Sequence, residues 1–528
     1  MADLTVQQAA DGAQPFLTLY PNPIPCSRTH VPSEIMEMIL CYALAGPLAE
    51  DHDDRILSIL LVSRLWNQIA QGSREFRSHL PVPRPGANRE ETETWLERTR
   101  PYPIRIWASA YVEGALNLED DEYAFHPVLG PLEVALREDN LLRVREIHVE
   151  GYRDDEDLHL RPLPIAIILD HLANLGQGIS LPLEILHIKT NFLQDVRFPD
   201  DWPLCPSLRV VDISSGGSLG PDLALFRSPV LTKVLLEGVR DIWYGWRDVQ
   251  DALEEMSDTV EVLALDLYIL PLIDDIGPDG TVPVLPSLRY LRVQDTPEIV
   301  AELLRYVCFP PEASLQFSFM MDRAELLSSS PSTLSAALAH CWEAESPFQE
   351  LIIGSWQEGE ISWTARPPPG VAQAGWLRLD MSGGLKGGLL PEHHGFLLNA
   401  FTSSKLLLGV RSVAFYTPQL PSRALWQELL VHAPQIEELV IGGKAVMGWI
   451  EAMSKPSGIP HVPRLVIAHT TFHGIEPCMH LAQYLRRGTS YGCQRVRFHQ
   501  CTFEGMTDEA WVNFLNIIGC EVSRAGSQ

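Results

Sequence analysis

The chain has 528 residues and a formal net charge of -28, with 46% apolar and 20% charged residues. That length exceeds what one compact core holds and points to several domains or a repeat array, while the ordinary apolar content excludes a chain disordered throughout. An acidic surface with no long basic stripe repels phosphate, which makes nucleic acid and anionic membrane poor partners.

Residues 1 to 28 hold Gly, Pro, Gln and Ala without periodicity and read as a loose tail. They carry no charged-then-apolar signal pattern, and no apolar run anywhere is long enough to span a bilayer, so a soluble intracellular protein, cytoplasmic and/or nuclear, is expected. The nine cysteines are an odd number, spread from Cys26 to Cys520 without a CxxC pair. Reduced thiols packed as small hydrophobes are expected in place of disulfides or structural zinc.

From residue 29 to 80 the pattern turns helical. Ile35, Met38, Ile39 and Tyr42 fall at i, i+3, i+4 and i+7 behind Pro32 and Ser33, a helix start. The acidic stretch Glu50-Asp51-His52-Asp53-Asp54 interrupts, and Ile59, Val62, Trp66 and Ile69 form a second stripe. Helices this short do not stabilise themselves; they pack on the rest of the chain or offer a face to a partner. Residues 81 to 101, opening with Pro81, Pro83, Pro85 and Gly86 and rich in Glu and Thr, read as a linker.

From residue 102 to 523 a unit recurs, with apolar residues at i, i+3 and i+5. Examples are Val144, Ile147 and Val149; Leu183, Leu186 and Ile188; Leu208, Val211 and Ile213; Leu231, Val234 and Leu236; Val260, Leu263 and Leu265; and Leu288, Leu291 and Val293. Phe348, Leu351 and Ile353; Val410, Val413 and Phe415; Ile436, Leu439 and Ile441; Val462, Leu465 and Ile467; and Cys493, Val496 and Phe498 continue it. The last two of each triplet alternate, so they point to one side of a short strand, and only stacked neighbours close the core. Helix faces lie between some triplets: Val249, Ala252, Leu253 and Met256; Val300, Leu303, Leu304 and Val307 after Thr296-Pro297; and Cys478, Leu481, Ala482 and Leu485. The fold class expected is α/β, a right-handed solenoid preceded by a small all-α module. Residues 315–348 and 354–409 leave the repeat count open, and 524–528 read as a tail.

Two resemblances follow. Val31-Pro32-Ser33-Glu34-Ile35, then Ile39, then Leu60-Leu61-Val62-Ser63-Arg64-Leu65-Trp66 with Ile69-Ala70, resembles an F-box, with Val31 and Ser63 where that family usually has Leu and Cys. Trp95-Leu96-Glu97-Arg98 and Tyr102-Pro103-Ile104-Arg105-Ile106 resemble the segment that follows the F-box in large families of mushroom-forming fungi, and the triplets resemble irregular leucine-rich repeats without an asparagine ladder. The resemblance implies a non-catalytic substrate receptor of an SCF-type, cullin–RING ubiquitin ligase. Val31, Pro32, Ile35, Ile39, Leu60, Val62 and Trp66 would then meet a Skp-type adaptor, and the solenoid would bind a target protein. The alternative is a leucine-rich-repeat interaction scaffold never assembled into a ligase.

Residues beside the inward ones face the concave side: His148, His187, Lys189, Asp212, Asp266, Arg292, Gln294, Arg497 and His499. Their mixed signs suit a polar protein or peptide face, with a plain solvated surface as the bland alternative. Catalytic, cofactor and metal residues are expected to be none. Glu392-His393-His394 lacks HExxH spacing and reads as a loop, the acidic stretch 50–54 lacks a calcium loop's alternation, and Gly383–Gly388 and Gly442-Gly443-Lys444-Ala445 lack the P-loop order and read as turns. No GxSxG elbow is present.

Overall fold

The computed structural model describes residues 32–43, 62–82, 87–112, 129–153, 168, 171–172, 179–190, 203–214, 224–239, 243, 245–256, 258–266, 269–271, 282–321, 329–342, 348–354, 360–368, 375–383, 391–416, 423–443, 445–453, 462–489, 493–518 and 521–525. Val31, Leu60, the tail 1–28, the acidic stretch 50–54 and Gly384 to Gly388 lie outside them. The chain divides into two compact units, Met1–Leu80 with Arg98–Tyr102, and Pro81–Glu97 with Pro103–Gln528.

The first unit holds the helices Ser33–Ala43, Arg64–Gly72 and Arg74–Ser78. Pro32 supplies the carbonyl that accepts the Met36 N–H at 3.1 Å, so Ser33 is already inside the first helix and does not cap it. Ser63 caps the second helix by accepting the Trp66 N–H at 3.1 Å, and Ser73 caps the third by accepting the Phe76 N–H at 2.9 Å. Leu40, Cys41, Ala70 and Phe76 form a small core, with Met36, Trp66, Ile69 and Leu80 partly buried against it.

The second unit is mixed α/β, built on a 17-stranded, mostly parallel sheet. Its first strands are β1 (Pro81–Val82), β2 (Ile104–Val112), β3 (Val144–Arg153), β4 (Ile185–Thr190), β5 (Val210–Ser214), β6 (Lys233–Glu237), β7 (Val262–Asp266), β8 (Tyr290–Gln294) and β9 (Ser314–Met321), each pairing in parallel with the next. Ile106, Ile147, Leu186, Val211, Val234, Leu263, Leu291 and Leu315 lie in one register row, and all are buried. Every residue of the recurring triplets is buried too. Each such aliphatic side chain contributes about 1.5–3 kcal/mol, and because neighbouring strands share the row, no single strand holds its part of the core alone.

Chain order then breaks. The next strands are β10 (Glu350–Gly354), β11 (Glu360–Arg366) and β12 (Leu377–Gly383). Strand β12, not β10, pairs in parallel with β9; β11 runs antiparallel to both β12 and β10; and β10 pairs in parallel with β13 (Ser412–Tyr416). Among the described strands of this sheet only β11 is antiparallel to its neighbours. The sheet continues through β14 (Glu438–Gly442), β15 (Arg464–Ala468), β17 (Arg495–His499) and β19 (Glu521–Ala525), while β16 (Thr471–His473) and β18 (Thr502–Glu504) form a separate pair. The helices Pro331–Cys341 and Pro391–Ser403 carry the two crossing connections and pack on each other. The three expected interstrand helices are present as Trp246–Glu255, Pro297–Arg305 and Glu476–Thr489, and Thr296 caps the second through its side chain with Pro297 in the first turn.

The expected linker is instead structured over much of its length. Residues 89–98 form a helix because Asn88 and Glu91 cap each other reciprocally, Glu91 N–H to Asn88 Oδ1 at 2.9 Å and Asn88 N–H to Glu91 Oε2 at 3.0 Å. Val82 and Leu96 join the core of the second unit. At the other end β19 reaches Ala525, so the expected tail from 524 begins inside a strand.

Gly375 sits where β12 meets β9. A Cβ there would fall 2.1 Å from the Ala313 carbonyl oxygen and 2.6 Å from that of Glu312, both backbone atoms. Gly375→Ala is therefore expected to force β12 off β9 and to destabilise the second unit by about 2–3 kcal/mol, read as a lower denaturant midpoint. An unchanged midpoint would refute this.

Candidate interaction faces

In the first unit the two sides of the Ser33–Ala43 helix differ. Met36, Leu40 and Cys41 turn inward, whereas Ile35, Met38, Ile39 and Tyr42 stay 47%, 67%, 48% and 84% exposed. Val62 and Leu65 are each 57% exposed. The periodicity of the apolar stripe thus holds, but the stripe faces outward. Of the residues expected to meet a partner, Pro32, Ile35, Ile39 and Val62 are exposed, while Trp66 is half-buried against the unit's own core. Its indole is shared between folding and surface, and Met38, Tyr42 and Leu65 take the outward places that sequence reasoning did not assign. A cluster of exposed apolar side chains this dense is the mark of a surface that gains by being covered.

In the second unit the strand alternation puts the expected polar residues on the face opposite the core. Trp107, His148, His187 and Asp212 occupy one register row across β2 to β5. The Trp107 ring stacks on His148 at 5.8 Å between centroids, and His148 lies 5.5 Å from His187. His187 Nδ1 is 3.1 Å from Asp212 Oδ2, and its Nε2 is 3.9 Å from Glu150 Oε1. Beneath this row Arg105 Nε meets Glu146 Oε1 at 3.1 Å, and His148 Nε2 stands 3.5 Å from Glu146 Oε2. Burial holds the Arg105 guanidinium below its usual range against the attraction of Glu146.

Farther along, Arg292 Nη2 covers Asp266 Oδ2 at 2.6 Å, with Gln294 in register beside Asp266. Burial pushes the Asp266 carboxyl up to about 6, Glu237 adds to the rise, and Arg292 opposes it. His148 and Asp266 are only 8% and 4% exposed, so these two belong to buried polar clusters and not to an open surface. The stacked Trp107 ring and the tilted His187 ring beside it explain the first, and the overlying Arg292 contributes to the second. Lys189 lies on β4 one pleat from His187. Arg497 and His499 stand on β17, with seven strands between it and β8, and do not join the histidine cluster. Arg105, Trp107, Glu146 and Glu150 were missed in the sequence, although the same parity places them: each alternates with a core residue among Ile104, Ile106, Ile147 and Val149.

Glu392, His393 and His394 do not form a loop. They open the helix Pro391–Ser403, and both histidines are buried, at 1% and 2% exposure. His393 Nε2 lies 3.4 Å from the Met321 carbonyl, and His394 stacks on Phe415 at 6.4 Å with no hydrogen bond to either ring nitrogen. Burial first and His393 second push the His394 imidazole down to about 4. The folded chain keeps this ring neutral while the unfolded chain protonates it near the ordinary value of about 6.5, so its stabilising contribution is complete above about pH 6.5 and is lost as pH falls toward 4. Between about pH 7 and pH 5 wild type is expected to lose about 2 kcal/mol more stability than His394→Leu, measured by denaturant unfolding. Parallel losses in the two proteins would contradict the assignment.

Of the stretch Gly442 to Ala445 expected as a turn, Gly442 ends β14, Gly443 turns in the left-handed region at φ 60°, and Ala445 opens the helix Ala445–Met453. Among the described residues no helix is long and apolar enough to cross a membrane. No protein-family model matches the chain, and no curated protein matches it.

Proposed function

We propose that this chain is a substrate receptor of an SCF-type ubiquitin ligase, in which the first unit acts as an F-box on a Skp-type adaptor and the second unit, a right-handed solenoid of irregular leucine-rich repeats, holds a target protein. The observation that carries the reading is the exposed apolar set Ile35, Met38, Ile39, Tyr42, Val62 and Leu65, set beside a core that among the described residues of the unit is Leu40, Cys41, Ala70 and Phe76. Such a helix face fits an aliphatic groove on a partner, the contact that the F-box-like residues Pro32 to Ile39 and Val62 to Trp66 would make.

The polar face of the sheet supports the second half. The parallel strands β4, β5 and β8 present His187, Lys189, Asp212, Arg292 and Gln294; the buried Arg105–Glu146 pair lies on the same face, and Arg292 is held by the buried Asp266. A preorganised face of mixed sign suits a folded protein or peptide better than a small apolar ligand. In this reading the chain is soluble, works in the cytoplasm and/or nucleus, and performs no chemistry itself; transfer of ubiquitin belongs to the cullin–RING partners. Co-expression with a Skp-type adaptor and affinity purification of the full-length chain is the test. A one-to-one complex is expected; no complex at micromolar concentrations would leave an interaction scaffold outside any ligase.

A further inference from the structure

In the first unit one side-chain cluster has a use that adaptor binding does not require. The Cys41 sulfur, a Glu75 carboxylate oxygen and a His79 ring nitrogen all lie within 4.8 Å of one another. Cys41 comes from the inner side of the Ser33–Ala43 helix, Glu75 from the Arg74–Ser78 helix, and His79 from the residue that ends it. Four positions apart on helical backbone, Glu75 and His79 share one face, and that face meets Cys41. Cys41 is buried, His79 is half-buried and Glu75 is exposed, so the cluster opens to solvent from the Glu75 side.

The geometry points to a zinc site: we propose that Cys41, Glu75 and His79 bind one Zn²⁺, with water in the fourth position. One sulfur, one imidazole nitrogen and one carboxylate oxygen form a donor set that zinc accepts at tetrahedral geometry, whereas magnesium and calcium prefer oxygen alone. Binding would displace the Cys41 proton to solvent, so that the ion takes the thiolate. The ion would tie the helix Ser33–Ala43 to the helix Arg74–Ser78, a staple across the unit.

The test uses the full-length chain, freed of metal with a chelator and titrated with Co²⁺ and then Zn²⁺. One equivalent of cobalt is expected to give a sulfur-to-cobalt charge-transfer band that zinc abolishes, and zinc is expected to raise the unfolding temperature of the first unit. Cys41→Ser should remove the band although the other cysteines remain. Glu75→Gln and His79→Gln should each weaken zinc binding by roughly 10-fold or more, with unchanged circular dichroism without metal. The proposal is overturned by a wild-type chain that gives no band, by a band that survives in Cys41→Ser, or by equal zinc affinity in the Glu75→Gln/His79→Gln double variant. Should Cys41→Ser fail to fold, the double variant decides. None of the three residues lies on the exposed apolar face, so failure here leaves adaptor capture untouched.

Discussion

Ile39→Asp in the full-length chain is expected to reduce capture of a Skp-type adaptor by roughly 100-fold or more while leaving the chain folded. Ile39 lies between Ile35 and Tyr42 on the outward stripe and is 48% exposed, so a carboxylate there is solvated in the free protein. In the complex the same carboxylate would be desolvated without a partner. Loss of a central aliphatic anchor costs about 2 kcal/mol or more, and an unpaired buried charge adds several, which together exceed two decades in affinity. Trp66→Ala is the weaker experiment, because the indole is half-buried against the unit's own core and its removal loosens the fold as well. Val512→Asp is the matched control: Val512 is 54% exposed but sits in the second unit, so adaptor capture should be unchanged. Equal capture by Ile39→Asp and wild type would deny the outward stripe its assigned part.

Trp363→Ala is expected to cost about 3–5 kcal/mol, the largest loss among single changes in the second unit considered above. Trp363 is fully buried at the middle of β11, in register with Ile353 on one side and Leu379 on the other, and its ring stacks on Phe401 at 5.6 Å. Strand β11 is the joint between two blocks of parallel strands, so a cavity there loosens both. The indole N–H has no hydrogen-bond partner, so part of what Trp363 contributes by packing is already offset by an unsatisfied donor. Trp363→Phe removes that donor with less volume and should cost only about 1–2 kcal/mol. Denaturant unfolding followed by circular dichroism separates the two variants; equal costs would show that the ring's packing on Phe401 carries little.

Much of this architecture was legible because a strand's side chains alternate. The spacing of Val211 and Ile213, or of Leu291 and Val293, places both on one side and puts Asp212 or Arg292 on the other. That rule says nothing of direction. Ile361, Trp363 and Ala365 alternate in the same way whether the strand runs up or down, so β11 and the exchanged places of β10 and β12 were not readable from pattern. Asp380 is one side-chain tie of the exchanged pair: held by Arg378 Nε of its own strand at 2.7 Å, it accepts from Gln316 Nε2 of β9 at 2.9 Å. The helix 89–98 was missed because its capping pair lies in polar sequence with one buried leucine. The outward stripe was legible as a stripe, but exposure depends on which neighbours pack, and Leu40 and Cys41 on the other side took the core. His393 and His394 looked like loop residues for a similar reason: short polar runs carry no sign of the sheet that covers them.

The exchanged strand order has a consequence for synthesis on the ribosome. Up to β9 each newly made strand finds its docking edge already waiting, so the sheet can grow as fast as the chain emerges. After Met321 the rule fails, because the strand made next belongs elsewhere and the β9 edge stays bare until residues 377–383 arrive. At roughly 5–20 residues per second that is a pause of several seconds with unpaired backbone on display, the interval in which a nascent chain is most open to pairing with the wrong neighbour.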